Sequence, residues 1–305
     1  MRVGILGASG FIASHLITKL SDSDAKIFAF SRLRPDLVNV NYEWIGISDL
    51  ILEEEFDWLN HSKLDVLIDC SDPPSFKTTS DMDAHIQSKC RLFRASVERN
   101  IKRYIYLSSV KAAAEFSNDL ISEETKACPL TAYGEMKYQV EMHLKSLAVD
   151  LGQKPIIVRL PMVYGKDGGK SILKLARLIN LRVPLPLKNT TNLRSMVSIS
   201  NLCEFLRILI SHPNAHKQDW FVSDARPMLI SEIIFHIGKC QSIDPVLFSF
   251  PQPLLKKLFS LIGLKNYSYS LLMSLAVDDS CSRVMLGWQP SEFDAKDFCD
   301  CLYGI

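Results

Sequence analysis

Short apolar runs alternate with segments of helical periodicity through the first half of the chain. Runs that are apolar on both faces are typical of strands in a sheet that helices cover on both sides. Because such strands and helices alternate, we expect right-handed crossovers and an α/β fold with a doubly wound parallel sheet. The predicted strands are 3–6, 26–30, 65–70, 103–107 and 155–160, and the predicted helices are 11–20, 81–98 and 132–147.

The pattern changes after about residue 164, which predicts a smaller C-terminal α/β lobe. The segments beyond this point are a turn-rich break at 165–169, an amphipathic helix at 171–181, a proline-punctuated stretch at 183–187, strands at 220–222 and 246–250, and a loosely helical stretch at 253–275. The predicted division is a first domain of 1–168, with 194–222 returning to it, and a lobe of 169–193 and 223–305.

Composition and charge narrow the classes of partner. The chain has 305 residues, 47% of them hydrophobic, which is enough for one large α/β domain with a lobe. Lys+Arg 35 against Asp+Glu 34 gives a net charge of +1, so no nucleic-acid partner is expected. No apolar stretch of the sequence reaches the roughly 18 residues of a membrane-spanning helix. The cationic amphipathic segment 254–262 is interpreted as a lobe helix in preference to a membrane contact.

The cysteines show no pattern that marks a metal or redox site. None belongs to a Cys-x-x-Cys pair, and Cys299-x-Cys301 is too closely spaced for a usual zinc site. We therefore expect free thiols, no metal site and a cytoplasmic protein. The eight are Cys70, Cys90, Cys128, Cys203, Cys240, Cys281, Cys299 and Cys301.

A glycine-rich loop follows the first predicted strand and opens the first helix. Gly7 allows a tight turn, Gly10 lets the backbone approach a pyrophosphate, and Ala13 lets the helix pack close to the sheet. The helix then offers free N–H groups to phosphates, which predicts a Rossmann-type dinucleotide site; an ordinary strand–helix turn is the alternative. The expected contacts are Gly7, Ser9, Gly10, Phe11 and Ile12.

The end of the second strand bears on which dinucleotide binds. NAD-preferring folds usually have Asp or Glu there, whereas this chain has Arg32, which can pair with a 2′-phosphate. The interpretation therefore leans toward NADP over NAD, with a solvated surface arginine as the alternative. Asp49, between the predicted strands 26–30 and 65–70, is placed to accept a hydrogen bond from the adenine amino group.

Three residues form a candidate catalytic set. Tyr133 and Lys137 are four residues apart and share one face of a helix. The ammonium favours the phenolate of the tyrosine, which can then exchange a proton with a hydroxyl or carbonyl. Ser108 and Ser109 end a strand at the edge where such sheets bind ligands, so a serine hydroxyl can hold the reacting oxygen.

Together these motifs resemble the extended short-chain dehydrogenase/reductases of the NAD-dependent epimerase/dehydratase type. The resemblance runs through nearly the whole chain, and its C-terminal motifs are similar to members that modify nucleotide-activated sugars for surface polysaccharides. The motifs are Gly7-x-x-Gly10-x-x-Ala13, Tyr106-Leu107-Ser108-Ser109, Tyr133 with Lys137 and Glu141, 159–165, 192–197 and 286–290.

The resemblance implies roles for individual residues and a homodimer. Two helices, here 81–98 and 132–147, would form the interface between subunits. Arg194 would bind the substrate diphosphate, and the segment 184–187 would lie near the nucleotide base. The implied site residues are Ser109, Tyr133 and Lys137 for catalysis, Ser109, Arg194 and Leu187 for substrate, and Ser71, Tyr133, Lys137 and Pro161 for the cofactor, NAD(P).

Departures from the family pattern lie at and after the end of the predicted strand 65–70. Asp69-Cys70-Ser71-Asp72 stands where the family usually has His-Leu-Ala-Ala, whose small residues let the cofactor pass close. Asp72 brings a negative charge toward that path. His85 and Lys89 occupy places often held by Asn and Thr, and a second diphosphate-binding arginine is not evident in 268–275.

The expected function is therefore hydride and proton transfer at C4 of a UDP- or dTDP-linked hexose. Both a 4-epimerase and a 4-ketoreductase fit, and Arg32 favours the reductase because NADPH is a consumed reductant. Two alternatives stay open at this point. One is an NAD(P)-binding or sensing protein without turnover, and the other is an NADPH-dependent reductase of a non-sugar carbonyl.

Overall fold

The computed structural model describes residues 1–53, 55–60, 63–73, 78–216, 219–261, 263 and 265–302. All five strands and three helices predicted for the first half of the chain are present, with their ends shifted by a few residues. The strands are β1 Arg2–Leu6, β2 Lys26–Ser31, β3 Glu43–Gly46, β4 Val66–Asp69, β5 Arg103–Ser109, β6 Ile156–Leu160, β7 Met162–Tyr164, β8 Leu193–Arg194, β9 Met196–Ser198, β10 Trp220–Phe221 and β11 Met228–Leu229. The helices are α1 Phe11–Ser21, α2 Thr79–Glu98, α3 Ala132–Leu151, α4 Lys170–Asn180, α5 Ile199–Ser211, α6 Ile230–Gln241, α7 Gln252–Leu261, α8 Lys265–Leu272, α9 Ser280–Leu286 and α10 Ala295–Asp300.

Seven strands form one sheet in the order β10-β6-β5-β4-β1-β2-β3, and every neighbouring pair is parallel. The chain builds outward from β1 to β3 and then crosses back to β4, so the strand order reverses between β1 and β4. Ligands of doubly wound sheets bind at the carboxyl ends of the strands beside such a reversal. The prediction of a doubly wound parallel sheet of the Rossmann type is confirmed.

Alternate residues of β5 face opposite layers of the fold. Tyr104 and Tyr106 pack in the apolar cluster beneath α2 and α3, whereas Ile105 and Leu107 pack in the cluster beneath α1 and α5. Burying a side chain the size of Leu107 contributes about 2 kcal/mol. The same alternation carries two phenols into the layer that α2 and α3 cover.

The C-terminal part of the chain has its own apolar cluster, built on α4, α6 and α10. β8 and β11 pair antiparallel beside it, and β7 pairs with β9 in parallel. The predicted strand at 246–250 is reduced to a single bridge between Leu185 and Leu247. Pro184 and Pro186 lack the N–H groups that a longer ladder with this segment would need.

Cys240 of α6 and Cys299 of α10 form a disulfide across a Cα–Cα distance of 5.4 Å. The prediction of free thiols is therefore wrong for this pair. The two residues are 59 positions apart, so no spacing motif marks them, and only the packing of α10 against α6 brings them together. The thiols that remain free are those of Cys70, Cys90, Cys128, Cys203, Cys281 and Cys301.

α7 is the cationic amphipathic segment that the sequence interprets as a lobe helix. Its Leu255 is buried in the C-terminal cluster, while Leu254, Leu258 and Leu261 are exposed. Among the helices in the described ranges, none is long and apolar enough to cross a membrane.

Candidate active site

The N–H groups of Gly7, Ala8 and Gly10 in the glycine loop donate to backbone carbonyls, and the first turn of α1 after the loop has backbone N–H groups that no side chain caps. Gly7 has φ +76°, and a Cβ there would lie 2.8 Å from the Cys70 carbonyl oxygen, so only glycine fits. Gly10 is the N-cap of α1, and no side chain caps this helix end. Because uncapped N–H groups at a helix start bind anions, this loop fits the diphosphate of a dinucleotide. The loop residues Ser9 and Gly10 are exposed, and Phe11 and Ile12 are half-buried.

A cavity of about 190 Å³, named here the loop-side cavity, lies at the carboxyl edge of the sheet. It brings together Ile12 at the start of α1, just after the glycine loop, with residues at the ends of β4, β5 and β6 and on α3. Its lining residues are Ile12, Cys70, Asp72, Leu107, Ser108, Ser109, Tyr133, Lys137, Leu160, Pro161 and Val163. The residues predicted from sequence that meet in this cavity are Ile12, Ser109, Tyr133, Lys137 and Pro161.

A second cavity of about 300 Å³, the lobe-side cavity, lies between the sheet edge and the C-terminal cluster. It shares Ser109, Tyr133, Leu160 and Pro161 with the loop-side cavity, so the two cavities meet at a serine and a tyrosine hydroxyl. Its other lining residues are Val110, Lys111, Met162, Ser171, Ile172, Leu175, Arg194, Ile230, Ile233, Ser270, Leu271 and Leu275.

Tyr133 and Lys137 lie one turn apart on α3. The Lys137 Nζ lies 5.8 Å from the centroid of the Tyr133 ring and donates to the Leu107 carbonyl oxygen at 2.6 Å. Gly134 lets the start of α3 pack closely against the backbone of Lys111, because a Cβ there would lie 2.6 Å from the Lys111 carbonyl oxygen. Within the described ranges, no hydrogen bond engages the Tyr133 hydroxyl, which leaves it available to a ligand.

Ser108 and Ser109 end β5 but have different partners. The Ser108 hydroxyl donates to Glu141 Oε1 at 2.5 Å, and Glu141 also receives the Arg159 guanidinium at 2.6–3.2 Å. Ser109 accepts a 3.2 Å hydrogen bond from the Lys111 backbone N–H and lines both cavities. Ser109 is therefore the serine placed to contact a reacting oxygen.

Two carboxylates and two ammonium groups form a cluster beside the loop-side cavity, named here the acid–lysine cluster: Asp69, Asp72, Lys89 and Lys137. The Lys89 Nζ lies 2.8 Å from both Asp69 oxygens and 3.0 Å from Asp72 Oδ1. Lys137 forms an ion pair with Asp72 Oδ2. None of the four side chains is more than 8% exposed. The charges of the cluster therefore balance within the protein.

Further hydrogen-bond donors complete the cluster. Tyr104 donates to Asp69 Oδ2 at 2.7 Å, and Tyr106 donates to Asp72 Oδ2 at 2.6 Å. The His85 Nε2 lies 2.8 Å from Asp72 Oδ1. Since a carboxylate only accepts, this nitrogen carries the hydrogen. Asp72 thus receives four donors, which offsets the cost of removing its charge from water.

The cluster fixes the charge states of its members. Burial alone would raise the pKa of Asp72, but the Lys137 and Lys89 ammonium groups outweigh it and hold that pKa well below its usual range. Burial would lower the pKa of each lysine, yet the neighbouring carboxylates raise both. Burial, and then the carboxylates, raise the pKa of Tyr104 and Tyr106. Near neutral pH, Asp72 and the two lysines are charged and these two tyrosines are neutral.

Arg194 brings a weakly compensated charge to the lobe-side cavity. Its guanidinium donates to the Met273 carbonyl oxygen at 3.5 Å, and no ion pair with it is found in the described part of the chain. Burial lowers its pKa to about 10, against the opposing effect of the Glu115 carboxylate. Glu115 itself pairs with Lys111 at 2.9 Å. An anionic ligand would supply the partner that Arg194 lacks.

Eight predicted site residues lie outside the walls of both cavities: Gly7, Ser9, Gly10 and Phe11 in and just after the glycine loop, and Arg32, Asp49, Ser71 and Leu187. Arg32 and Asp49 are exposed, beyond the carboxyl ends of β2 and β3. Leu187 is buried in the C-terminal cluster. The Ser71 hydroxyl donates to Asp69 Oδ1 at 2.6 Å, and Cys70 and Asp72 line the loop-side cavity from this segment.

Sequence reasoning missed the joining of these residues into one cluster. Asp72, His85 and Lys89 stand out only as departures from the family pattern, and Tyr104 and Tyr106 read as ordinary apolar strand residues. A usable signal was present, because both tyrosines sit on the face of β5 that the two lysine-bearing helices cover.

Comparisons with known proteins agree with this geometry. A family model described as "NAD dependent epimerase/dehydratase family" matches residues 3–222. UDP-glucose 4-epimerase from Vibrio cholerae is 26% identical over 300 residues, covering 94% of this chain and 90% of that protein. dTDP-4-dehydro-6-deoxyglucose reductase from Escherichia coli is 21% identical over 308 residues, covering 94% and 92%.

A solved structure shows the same fold. It is UDP-glucuronic acid 4-epimerase from Bacillus cereus in complex with UDP-glucuronic acid and NAD. The TM-score is 0.77 at 17% sequence identity, and the match covers 100% of this chain and 98% of the other.

Proposed function

The chain belongs to the NAD dependent epimerase/dehydratase family, and from this premise we propose that it transfers hydride and a proton at C4 of a UDP- or dTDP-linked hexose. The observation that carries the proposal is the meeting of the two cavities at Ser109 and Tyr133. One cavity adjoins the glycine loop, and the other reaches Arg194. A dinucleotide on one side and a phosphorylated sugar on the other would therefore face each other across these two hydroxyls.

The chain's own residues do the acid–base work. A bound nicotinamide dinucleotide supplies the hydride acceptor and donor. Tyr133 takes the proton from the C4 hydroxyl when that carbon is oxidised and returns one when the ketone is reduced. Ser109 donates a hydrogen bond to the same oxygen. Lys137 holds a positive charge beside Tyr133 and has donors for a ribose hydroxyl.

The substrate side rests on Arg194. A half-buried guanidinium without a carboxylate partner in the described ranges suits a diphosphate, which can accept two parallel hydrogen bonds. The relatives act, by their names, on UDP-glucose and on a dTDP-linked keto sugar, which supports a nucleotide diphosphate. The proposal also places the nucleotide base near the segment that contains Leu187.

A 4-epimerase is the first candidate, because the epimerase from Vibrio cholerae is 26% identical, against 21% for the reductase from Escherichia coli at the same 94% coverage of this chain. The second candidate, a 4-ketoreductase, is favoured by Arg32, which is exposed at the end of β2 and suits the 2′-phosphate of NADPH. The remaining dinucleotide contacts proposed are Gly7, Ser9, Gly10, Phe11, Ile12, Asp49, Ser71 and Pro161.

The proposal extends to assembly and pathway. The subunits would pair through α2 and α3, whose outer surface exposes Met142 and Val149. The division into a 1–168 domain, rejoined by 194–222, and a substrate lobe of the remaining residues is part of the same proposal. So is a role in the biosynthesis of surface polysaccharide.

The test begins with the dinucleotide that purifies with the protein, identified by mass spectrometry. UDP- and dTDP-hexoses are then offered with NAD, NADH, NADP and NADPH. Retained NAD with interconversion of C4 epimers supports the epimerase. An empty site that prefers NADPH and reduces a 4-keto sugar supports the reductase. Failure to bind any of the four dinucleotides would contradict the proposal.

A further inference from the structure

We propose that Asp72 is a positioning residue that holds the Lys137 ammonium beside Tyr133. Together with Lys89, it sets how strongly that ammonium stabilises the phenolate form of Tyr133. This inference rests on the function proposed above. Asp72 is one of the departures from the family pattern, and it lines the cavity that Tyr133 also lines.

The geometry gives Lys137 a fixed anchor. Its Nζ pairs with Asp72 Oδ2 and donates to the Leu107 carbonyl oxygen at 2.6 Å. An ammonium has three N–H donors, so one remains for a ligand. Because the side chain is only 4% exposed, water has little part in orienting it. Asp72 therefore aims the lysine before any ligand arrives.

Asp72 also tempers the charge that Lys137 presents. A carboxylate in direct contact with an ammonium reduces its attraction for a second negative group, here the phenolate of Tyr133. Lys89 limits this effect, since it lies 3.0 Å from Asp72 Oδ1 and shares the carboxylate with Lys137. Lys89 is also 2.8 Å from Asp69 Oδ2, which keeps the whole cluster balanced.

The groups that face Lys137 come from four elements. The titratable and charged neighbours are Asp69 at the end of β4 with Cys70 and Asp72 after it, His85 and Lys89 on α2, Tyr104 and Tyr106 on β5, and Tyr133 on α3. Burial raises the pKa of Cys70, Tyr104 and Tyr106, so these three stay neutral in the working range. His85 contacts the same carboxylate as Lys137, so a variant at His85 serves as the matched control.

The first experiment follows the ultraviolet absorbance of tyrosinate in the dinucleotide-free protein as pH rises. Subtracting the same titration of a Tyr133→Phe variant made in each background isolates the Tyr133 signal, including in Asp72→Asn, where Tyr106 also loses its carboxylate partner. The wild type is compared with Asp72→Asn, which keeps the shape and removes the charge, and with His85→Gln as the matched control. We expect the Tyr133 phenolate to form about one pH unit lower in Asp72→Asn and at the wild-type pH in His85→Gln.

A purely structural Asp72 would lower stability without moving this titration. Unchanged phenolate formation in Asp72→Asn, or an equal shift in His85→Gln, would overturn the inference. If Asp72→Asn does not fold, Asp72→Ala carries the same expectation, because it restores the small residue common in the family. If neither variant folds, a wild-type Lys137 ammonium that titrates like an exposed lysine in NMR of protein labelled with ¹³C at the lysine Cε would also overturn it.

Turnover is measured separately, so the two proposals fail in different ways. In the active enzyme, the acid side of the pH–rate profile should move down by about one unit in Asp72→Asn. Dinucleotide affinity should change little. A wild type that binds dinucleotide but turns over no UDP- or dTDP-hexose would contradict the proposed function, and the absorbance titration would still decide the role of Asp72.

Discussion

The two cavities that meet at Ser109 and Tyr133 differ in how the charged side chains beside them are paired. Beside the loop-side cavity, the acid–lysine cluster pairs every charge with another protein group inside a nearly dry layer. In the wall of the lobe-side cavity, the one hydrogen bond found for the Arg194 guanidinium among the described residues is a 3.5 Å contact with a carbonyl oxygen, and burial lowers the pKa of Arg194 to about 10.

The difference indicates on which side of the site a ligand would supply a counter-ion to the protein. A cluster whose charges are already paired gains little free energy from the charge of a ligand. We therefore expect it to orient neighbouring side chains and not to bind an ionic ligand. A desolvated, weakly partnered guanidinium gains much from an anion. The two sides therefore predict different consequences when their charged residues are removed.

The largest effect is expected at the junction of the two cavities. Tyr133→Phe should lower turnover by about 10²–10⁴-fold, because general acid–base catalysis contributes about that much. Dinucleotide binding should be retained, as measured by titration. Tyr138→Phe, on the same helix, is the control and should keep wild-type turnover. Wild-type activity of Tyr133→Phe would remove the proton-transfer role.

The next effect tests the balanced side. Lys89→Met should lower the free energy of unfolding by about 3–5 kcal/mol, because it leaves buried carboxylates short of a partner. Lys145→Met breaks a partly exposed pair with Asp219 and should cost about 0–1 kcal/mol. Urea unfolding of both variants gives the comparison.

The stability that Lys89 contributes, and that Lys89→Met lacks, should depend on pH in one direction. The pKa of Lys89 is raised in the folded protein. Its contribution is therefore complete below the ordinary lysine pKa of about 10.4 and is lost only as the pH rises through the higher folded value. The deficit of Lys89→Met should be constant from about pH 6 to 9. A deficit no larger than that of Lys145→Met would mean that the cluster is not balanced by Lys89.

A smaller effect, on binding and not on folding, is expected for Arg194. Arg194→Ala should weaken the binding of a UDP- or dTDP-hexose by about 10- to 100-fold, the value of a charge-assisted hydrogen bond. Its stability should equal or exceed that of the wild type, since a poorly compensated buried charge is removed. Arg177→Ala on the exposed face of α4 is the control in calorimetric titrations. Unchanged affinity in Arg194→Ala would place the diphosphate elsewhere.

The smallest effect is expected far from both cavities. Arg32→Ala should weaken NADP binding by about 3- to 10-fold and leave NAD binding unchanged, because an exposed ion pair is worth about 1 kcal/mol. Arg94→Ala, exposed on α2, should change neither. An equal response of the two dinucleotides would make Arg32 an ordinary surface residue.

Local patterns made much of this account predictable from sequence. The glycine loop, the Tyr133–Lys137 pair and the strand–helix alternation all depend on residues within one or two turns of each other. The acid–lysine cluster depends on residues 65 positions apart in the case of Asp72 and Lys137. Its pairing arises only when β4, β5, α2 and α3 pack together. The disulfide between Cys240 and Cys299 escaped prediction for the same reason.

The sequence also could not show which side has paired charges and which side has a weakly paired one. From the sequence alone, Arg194 and Asp72 are both charged residues of the candidate site, and nothing shows which of them has a partner in the protein. Only burial and neighbours show that Asp72 receives four donors while Arg194 has no carboxylate partner within the described ranges.

The central claim is that hydride is transferred at C4 of a nucleotide-linked hexose where the two cavities meet. The most direct test loads the enzyme with reduced dinucleotide that carries deuterium at both positions of nicotinamide C4, offers a UDP- or dTDP-linked 4-keto hexose, and analyses the recovered sugar by mass spectrometry. The account predicts deuterium at C4 of the sugar with the wild type and far less in the same time with Tyr133→Phe. A reduced dinucleotide that binds but never passes deuterium to any of these sugars would contradict it.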